Sequence, residues 1–323
     1  MSSFFLGLDT SCYTTSLAVL DEQGGLVADR RQMLTVKGGE KGLRQSEALF
    51  QHVQALPQLF ALAGGGAFLQ ETAAVAASSR PRSVEGSYMP VFLAGASLAR
   101  SLAAGLQALY VDSSHQEGHI MAGLKSAGLD WQEFWVFHIS GGTTEILQVF
   151  REGRGFRVRI AAASQDLSAG QFIDRIGVKL GLPFPAGKHL EELGRRAPES
   201  LDLPVAVTGD RISFSGPETR AARLLAEGAP PEILARSVEE CIARSLVKAA
   251  RENLPGEGGK ALFVGGVMAN RRIKDWLLKE LQGFEAAFAS PSLSGDNAVG
   301  LAEMARLAWL AEGRGAGTGR DGR

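Results

Sequence analysis

One pattern occurs twice in this chain, and it limits what the chain can fold into. Phe4 to Thr10 reads as a buried strand, Ser11 to Thr14 as a small polar turn, and Thr15 to Leu20 as a second strand. Glu22-Gln23-Gly24-Gly25 is a hairpin turn, and Leu26 to Leu34 a third strand. The same succession returns 130 residues later: Phe134 to Ser140, the tight turn Gly141-Gly142-Thr143, Thr144 to Phe150, the turn 152–155, and Phe156 to Ala162. Helical stretches follow each copy. A unit of this size repeated once predicts a duplicated α/β lobe and argues against a solenoid. The expected lobes are 1–126 and 127–312, with a flexible tail over 313–323 and a last helix free to pack back on the first lobe.

Outside the repeats, apolar patterning predicts helices over 45–63, 91–106, 170–181, 188–195, 232–253, 270–281 and 297–311. Pro57 should kink or split the first. Short apolar runs at 73–77, 108–111, 261–264 and 284–288 read as strands. The glycine-rich stretch 37–42 and the polar stretch 78–90 read as loops. With 34 basic and 35 acidic residues the net charge is −1, so bulk charge does not mark a nucleic-acid binder, and any RNA contact needs a local patch. Two cysteines, Cys12 and Cys241, without a Cys-x-x-Cys spacing argue against a disulfide framework. No basic leader and no apolar run of membrane-spanning length is found, so a cytoplasmic, soluble protein is expected.

His115-Gln116-Glu117-Gly118-His119 places two imidazoles on one helix face, a turn apart, where both can hold one divalent ion. A zincin protease needs Glu directly after its first histidine; here Gln116 stands there. Asp296, before the last helix, suits either an N-cap or a third ligand, and His138 lies on the strand entering the second repeat's turn.

Three turns follow apolar strands and have the character of anion cradles: Asp9-Thr10-Ser11, Ser140-Gly141-Gly142-Thr143, and Gly265-Gly266-Val267. Two of them at matching places in the repeats predict a nucleotide held between the lobes. Asp174, on a helix, could accept from ribose hydroxyls.

The ordered set Leu6–Cys12, His115–His119, Ile139–Gly142, Ile212–Gly216, Gly265–Arg271 and Gly295–Asn297 resembles the tRNA threonylcarbamoyladenosine synthase family, once labelled O-sialoglycoprotein endopeptidase. The resemblance reaches to about residue 311 and implies the two-lobed fold of actin, sugar kinases and the Hsp70 ATPase. It implies transfer of a threonylcarbamoyl group from its adenylate to an adenosine amine beside the tRNA anticodon. By motif match, His115, His119 and Asp296 would hold iron or zinc, with His138 where some members carry a tyrosine ligand. Ser140, Gly141, Gly142 and Thr143 would meet the phosphate or acyl end of an adenine nucleotide, ATP or the threonylcarbamoyl adenylate, with or without Mg2+. Asp174, Gly187 and Asn270 would hold its ribose and base. Implied partners are tRNA, a paralogous actin-like protein and a small P-loop ATPase, with no membrane. The backbone amides at Ser140, Gly141 and Gly142 would stabilise developing negative charge.

The chain departs from the family pattern at four places. The Asp-Glu pair after the first Thr-Ser-Cys is Tyr13-Thr14, and Thr143 follows the Ser-Gly-Gly. Glu218 replaces a lysine, and Ser79-Arg80-Pro81-Arg82-Ser83 replaces a Gly-Pro-Gly loop. Two alternatives therefore stay open: a divergent paralogue carbamoylating another acceptor, and a non-catalytic nucleotide-binding partner in a tRNA-modification complex.

Overall fold

The computed structural model of the chain describes residues 3–11, 13–36, 43–255 and 258–313. Cys12, the loop expected at 37–42 and the tail from 314 lie outside the described residues. The first unit begins with β1 (Phe4–Asp9), β2 (Thr14–Leu20), β3 (Leu26–Met33), α1 (Gln45–Leu62) and the short α2 (Gly65–Phe68). It continues through β4 (Thr72–Arg80), α3 (Phe92–Leu106), β5 (Leu109–Ser114) and α4 (His115–Ala127). Its strands lie in the order β3-β2-β1-β4-β5, with β1 antiparallel to β2 and parallel to β4. Central β1 is covered on both faces, which is why Phe4 to Leu8 is an unbroken apolar run. Edge strand β3 carries charge instead, with Arg31 paired to Asp29 at 2.5 Å. Leu6, Leu8, Leu17 and Val19 pack with Leu56 and Leu59 of α1 and with Ala99 and Ala103 of α3.

Helix α1 runs unbroken through Pro57, against the sequence expectation of a kink or split. The proline deprives the Val53 carbonyl of its helical donor. Val53 is exposed, so that carbonyl can turn to water.

The second unit contains β6 (Glu133–Ile139), β7 (Thr144–Glu152), β8 (Gly155–Ser164), α5 (Ala169–Lys179), α6 (Gly187–Gly194), β9 (Ala206–Thr208) and β10 (Arg211–Ser213). Then come α7 (Ser215–Ala226), α8 (Pro231–Asn253), β11 (Lys260–Val264), α9 (Arg271–Glu280), β12 (Glu285–Phe288) and the single turn α10 (Pro291–Ser294). The strand order is β12-β11-β6-β7-β8-β10-β9. Register aligns Phe137, Phe263 and Phe288 on neighbouring strands, and their rings stack at 4.6 and 4.5 Å. Sequence periodicity missed β9, β10 and α7, because the two strands are three residues each and only Pro217 and Ala221 of α7 are buried.

Helix α11 (Val299–Ala311) closes the described chain. One compact unit comprises 1–129, 151–157 and 296 onward; the other comprises 130–150 and 158–295. The sequence placed the boundary at 126/127 and left the last helix free to return. Residues 151–157, the tip of the β7–β8 hairpin, join the first unit, where the Phe156 N–H donates to Glu117 Oε1 at 3.1 Å. Glycines set how α11 seats: a Cβ on Gly7 would strike the Ala298 carbonyl, and one on Gly300 the Gly118 carbonyl. Gly300 therefore lets α11 cross α4 closely at Gly118 of the histidine motif, and Asp296 lies just before α11 beside the histidines. Among the described residues, no helix is long and apolar enough to cross a membrane.

Candidate metal centre and glycine-turn site

Helix α4 starts at the first histidine because Ser114 and Glu117 close a capping box. The Glu117 carboxylate is fully committed there. Oε2 accepts from Ser83 Oγ at 2.5 Å, Ser114 N at 3.0 Å and Ser113 Oγ at 3.1 Å. The helix phase then brings His115 Nε2 and His119 Nε2 to 3.1 Å, and Asp296 Oδ1 lies 3.6 and 3.4 Å from them. Ligands about 2.0–2.1 Å from a tetrahedral ion stand roughly 3.3 Å apart, so these spacings fit one ion. Two imidazoles and a carboxylate suit zinc or iron better than magnesium. Asp296 does not cap the last helix, as the sequence had allowed. Asn297 Oδ1 accepts from Val299 N at 3.0 Å, which leaves the Asp296 side chain to the histidines.

The first repeat's turn is consumed internally. Asp9, almost wholly buried, accepts from His115 Nδ1 at 2.8 Å, from Ser11 Oγ at 3.0 Å and from Ser78 Oγ. Thr10 Oγ1 donates to the Val91 carbonyl at 3.0 Å and accepts from Gly95 N at 3.1 Å. In this conformation the hydroxyls of Thr10 and Ser11 bind the protein itself, where the sequence had read an anion cradle. Burial pushes the Asp9 carboxyl up, but the charge of His115 and the hydrogen bonds from His115 and Ser78 outweigh it and hold it below its ordinary value. Burial presses His115 down, and the Asp9 carboxylate more than reverses this, lifting it to about 9.

The second repeat's turn is built differently. Ser140 N donates to the Thr143 carbonyl at 2.8 Å, and Ser140 Oγ accepts from Thr143 N at 3.1 Å and Gly142 N at 3.4 Å. Ser168, the N-cap of α5, donates to the Gly141 carbonyl at 2.6 Å. A Cβ on Gly170 would lie 2.5 Å from both Gly141 Cα and Ser140 O, so only glycine lets the α5 N-terminus seat this closely. Gly141 and Gly142 are exposed, and a Cβ on either would meet nothing within 4 Å.

Asp174, Gly187, Gly265, Gly266, Asn270 and His138 share this second unit. Asp174 Oδ1 accepts from Ala186 N at 2.7 Å, just before Gly187 opens α6. Burial raises the Asp174 carboxyl above its ordinary value against that hydrogen bond. Gly265 adopts a φ of 100° where a Cβ would strike the Ile139 carbonyl, and Gly266 follows it exposed. Asn270 caps α9, its Oδ1 accepting from Ile273 N at 3.0 Å and its Nδ2 donating to Glu239 Oε1 at 2.6 Å. His138 is buried on β6, paired in register with Val264 and Glu145.

Several supporting residues escaped the sequence reading. Ser168-x-x-Gln171 was legible as a capping box. Glu239, wholly buried beside Asn270 and 2.9 Å from Arg272, carried no local signal. Nor did Asp166, which ties the 212–216 motif to the start of α5. It accepts from Ser213 Oγ at 2.5 Å, Phe214 N at 2.9 Å and Leu167 N at 2.6 Å. At the divergent positions, Tyr13 is exposed and Glu218 lies 3.4 Å from Lys179. The 79–83 segment is strapped to the metal helix, with Gln116 N donating to the Pro81 carbonyl at 3.1 Å.

Residues 37–303 match the TsaD family, tRNA N6-adenosine threonylcarbamoyltransferase. The chain belongs to that family. It is 31% identical to the tRNA N6-adenosine threonylcarbamoyltransferase of Thermus thermophilus over 96% of this chain and 93% of that one. It is also 31% identical to a probable bifunctional tRNA threonylcarbamoyladenosine biosynthesis protein of Methanothermobacter thermautotrophicus, over 95% of this chain, and spans only 56% of that longer protein. HypF from T. kodakarensis shares the fold at a TM-score of 0.61 and 16% identity, covering 97% of this chain and 48% of that one. This TsaD-family chain thus has the α/β fold of these solved structures, in line with the duplicated α/β lobe that its repeat predicted and the actin-like fold that the resemblance implied.

Proposed function

We propose that this chain transfers a threonylcarbamoyl group from its adenylate to the N6 amine of an adenosine in tRNA. The observation that carries the reading is the convergence of His115, His119 and Asp296 on one point within a chain of this family. A bound zinc or iron would act there as a Lewis acid toward the carbamoyl carbonyl or the phosphate. His115 and His119 orient their Nε2 atoms, and Asp296 supplies an anionic oxygen. The Ser140–Thr143 turn receives the acyl or phosphate end of the adenine nucleotide. Ser140 Oγ occupies the nest of the Gly142 and Thr143 amides, so an arriving anionic oxygen takes its place when the hydroxyl rotates out. Asp174, Gly187 and Asn270 would hold the nucleotide's ribose and base. With Tyr13 and Thr14 where relatives carry acids, this chain brings no carboxylate base from that turn, and the acceptor amine loses its proton to solvent or substrate.

The test is incubation with threonine, bicarbonate, ATP, the adenylate-forming enzyme and tRNA, followed by nucleoside mass spectrometry. Threonylcarbamoyladenosine that vanishes with His119→Ala supports the reading. Unmodified tRNA alongside a carbamoylated small molecule would favour the paralogue with another acceptor, which the replaced Asp-Glu pair and Glu218 make the second reading.

A further inference from the structure

The first unit's sheet carries a polar row that the fold itself does not need. Register pairs Ser16 of β2 with Asp9 of β1, and Ser78 of β4 with Ser113 of β5. Because Leu8 pairs with Ala77, Asp9 and Ser78 are neighbours too. Four polar residues thus cross four strands side by side, all essentially buried. One step back along β1, the neighbouring positions on β2, β1 and β4 are Leu17, Leu8 and Ala77, so on these three strands the row is confined to the C-terminal end of β1. Burying a carboxylate costs several kcal/mol unless it is paired, and alanines in this row would pack without that cost.

We propose that Asp9, oriented by Ser78 and Ser11, is a positioning residue of the metal centre: it fixes His115 with the proton on Nδ1 and the Nε2 lone pair turned to the ion. The inference rests on the metal reading above. His115 has two ring nitrogens, and the partner of one decides what the other can do. Nδ1 lies 2.8 Å from Asp9 Oδ2, and an ionised carboxylate only accepts, so Nδ1 must carry the hydrogen. Nε2 is the nitrogen 3.1 Å from His119 Nε2 and 3.6 Å from Asp296 Oδ1. Asp9 has little freedom to turn away, because Ser78 Oγ holds Oδ1 and Ser11 Oγ holds Oδ2. An asparagine at position 9 would bring an amide donor to the same place. Its NH2 facing Nδ1 would favour the other tautomer, with a hydrogen on Nε2 where the ion must bind.

A structural acid–histidine pair would change stability alone, whereas a positioning residue changes the metal. The test is cobalt(II) titration of the full chain, read by visible absorption and by competition with a chelator, alongside apo-protein melting. Asp9→Asn should weaken cobalt binding about 10–100-fold and alter the absorption envelope, and Ser78→Ala should weaken it by a smaller factor. If Asp9→Asn does not fold, Ser78→Ala decides. Wild-type affinity and spectrum in the folded variants would overturn the inference and leave the metal reading standing. A wild-type chain that takes up no cobalt would overturn both.

Discussion

The two copies of the strand–turn–strand unit share a frame and differ in what their turns spend their polar atoms on. In the first, Asp9, Thr10 and Ser11 bind the protein: Asp9 clamps His115, and Thr10 pins the start of α3 through Val91 and Gly95. In the second, Gly141 and Gly142 stand exposed against the capped start of α5. Duplication supplied one backbone solution twice. A carboxylate and hydroxyls tie one copy to His115 and to the start of α3. Paired glycines leave the backbone of the other exposed. Two buried titratable groups, one in each unit, are shifted strongly by burial and in opposite directions. His52 on α1 meets Thr15 Oγ1 at 2.8 Å and is pushed by burial down to about 4, partly offset by Asp9. Glu239 on α8 is pushed by burial up to about 7 despite Asn270 and Arg272.

The largest expected effect would break the metal side alone. His115→Ala or His119→Ala should lower metal affinity by more than the roughly 100-fold upper range for a lost outer partner, read by mass spectrometry of metal content. The fold should survive, since neither ring is part of the apolar core of the first unit.

Next is the opposite pH response of the two buried groups. His52 has a folded value near 4 and an unfolded value of 6.5, so below 6.5 the unfolded chain takes the proton first and stability falls until about pH 4. That loss is about 3 kcal/mol. Glu239 has a folded value near 7 against 4.5 unfolded, so its contribution is full below 4.5 and declines as pH rises through 7, again by about 3 kcal/mol. Denaturant unfolding of His52→Gln and Glu239→Gln checks both. The first variant should lose less stability than wild type between pH 6.5 and 4, and the second less between pH 4.5 and 7. Parallel pH curves for a variant and the wild type would remove the assigned group.

A smaller effect sharpens the ligand side. Gly170→Ala places a methyl 2.5 Å from the Ser140–Gly141 backbone. Overpacking of this kind costs about 1–3 kcal/mol, and the displaced turn should lose adenine-nucleotide affinity while metal content stays at the wild-type level. The smallest is Asn270→Ala, which removes a helix cap worth about 1 kcal/mol and leaves Glu239 without one of its donors, measurable as a lowered melting temperature.

Local chemistry was legible in the sequence, and partnership across distance was not. The duplicated strands, the spacing of His115 and His119 and the Ser-Gly-Gly turn are short-range patterns, and each lies on the element expected. Asp9 is two residues from Ser11 but 106 from His115, and only strand register and helix phase bring that pair together. Asp9 therefore read as a cradle residue when its carboxylate faces an imidazole. Asp296 and Asn297 are adjacent, and sequence could not decide which one turns back to cap α11. Pro57 read as a break because sequence does not reveal that the carbonyl it deprives is on an exposed turn. Helix α7 was missed because its polar surface hides a buried face of two residues.

The claim that the open turn is where the nucleotide goes is tested most directly by calorimetric titration of ATP, ADP and AMP into metal-loaded wild-type protein and into Gly142→Val. The wild type should bind saturably and the variant should not, with metal content unchanged. No binding of any of the three by the wild type, or equal binding by the variant, would contradict it.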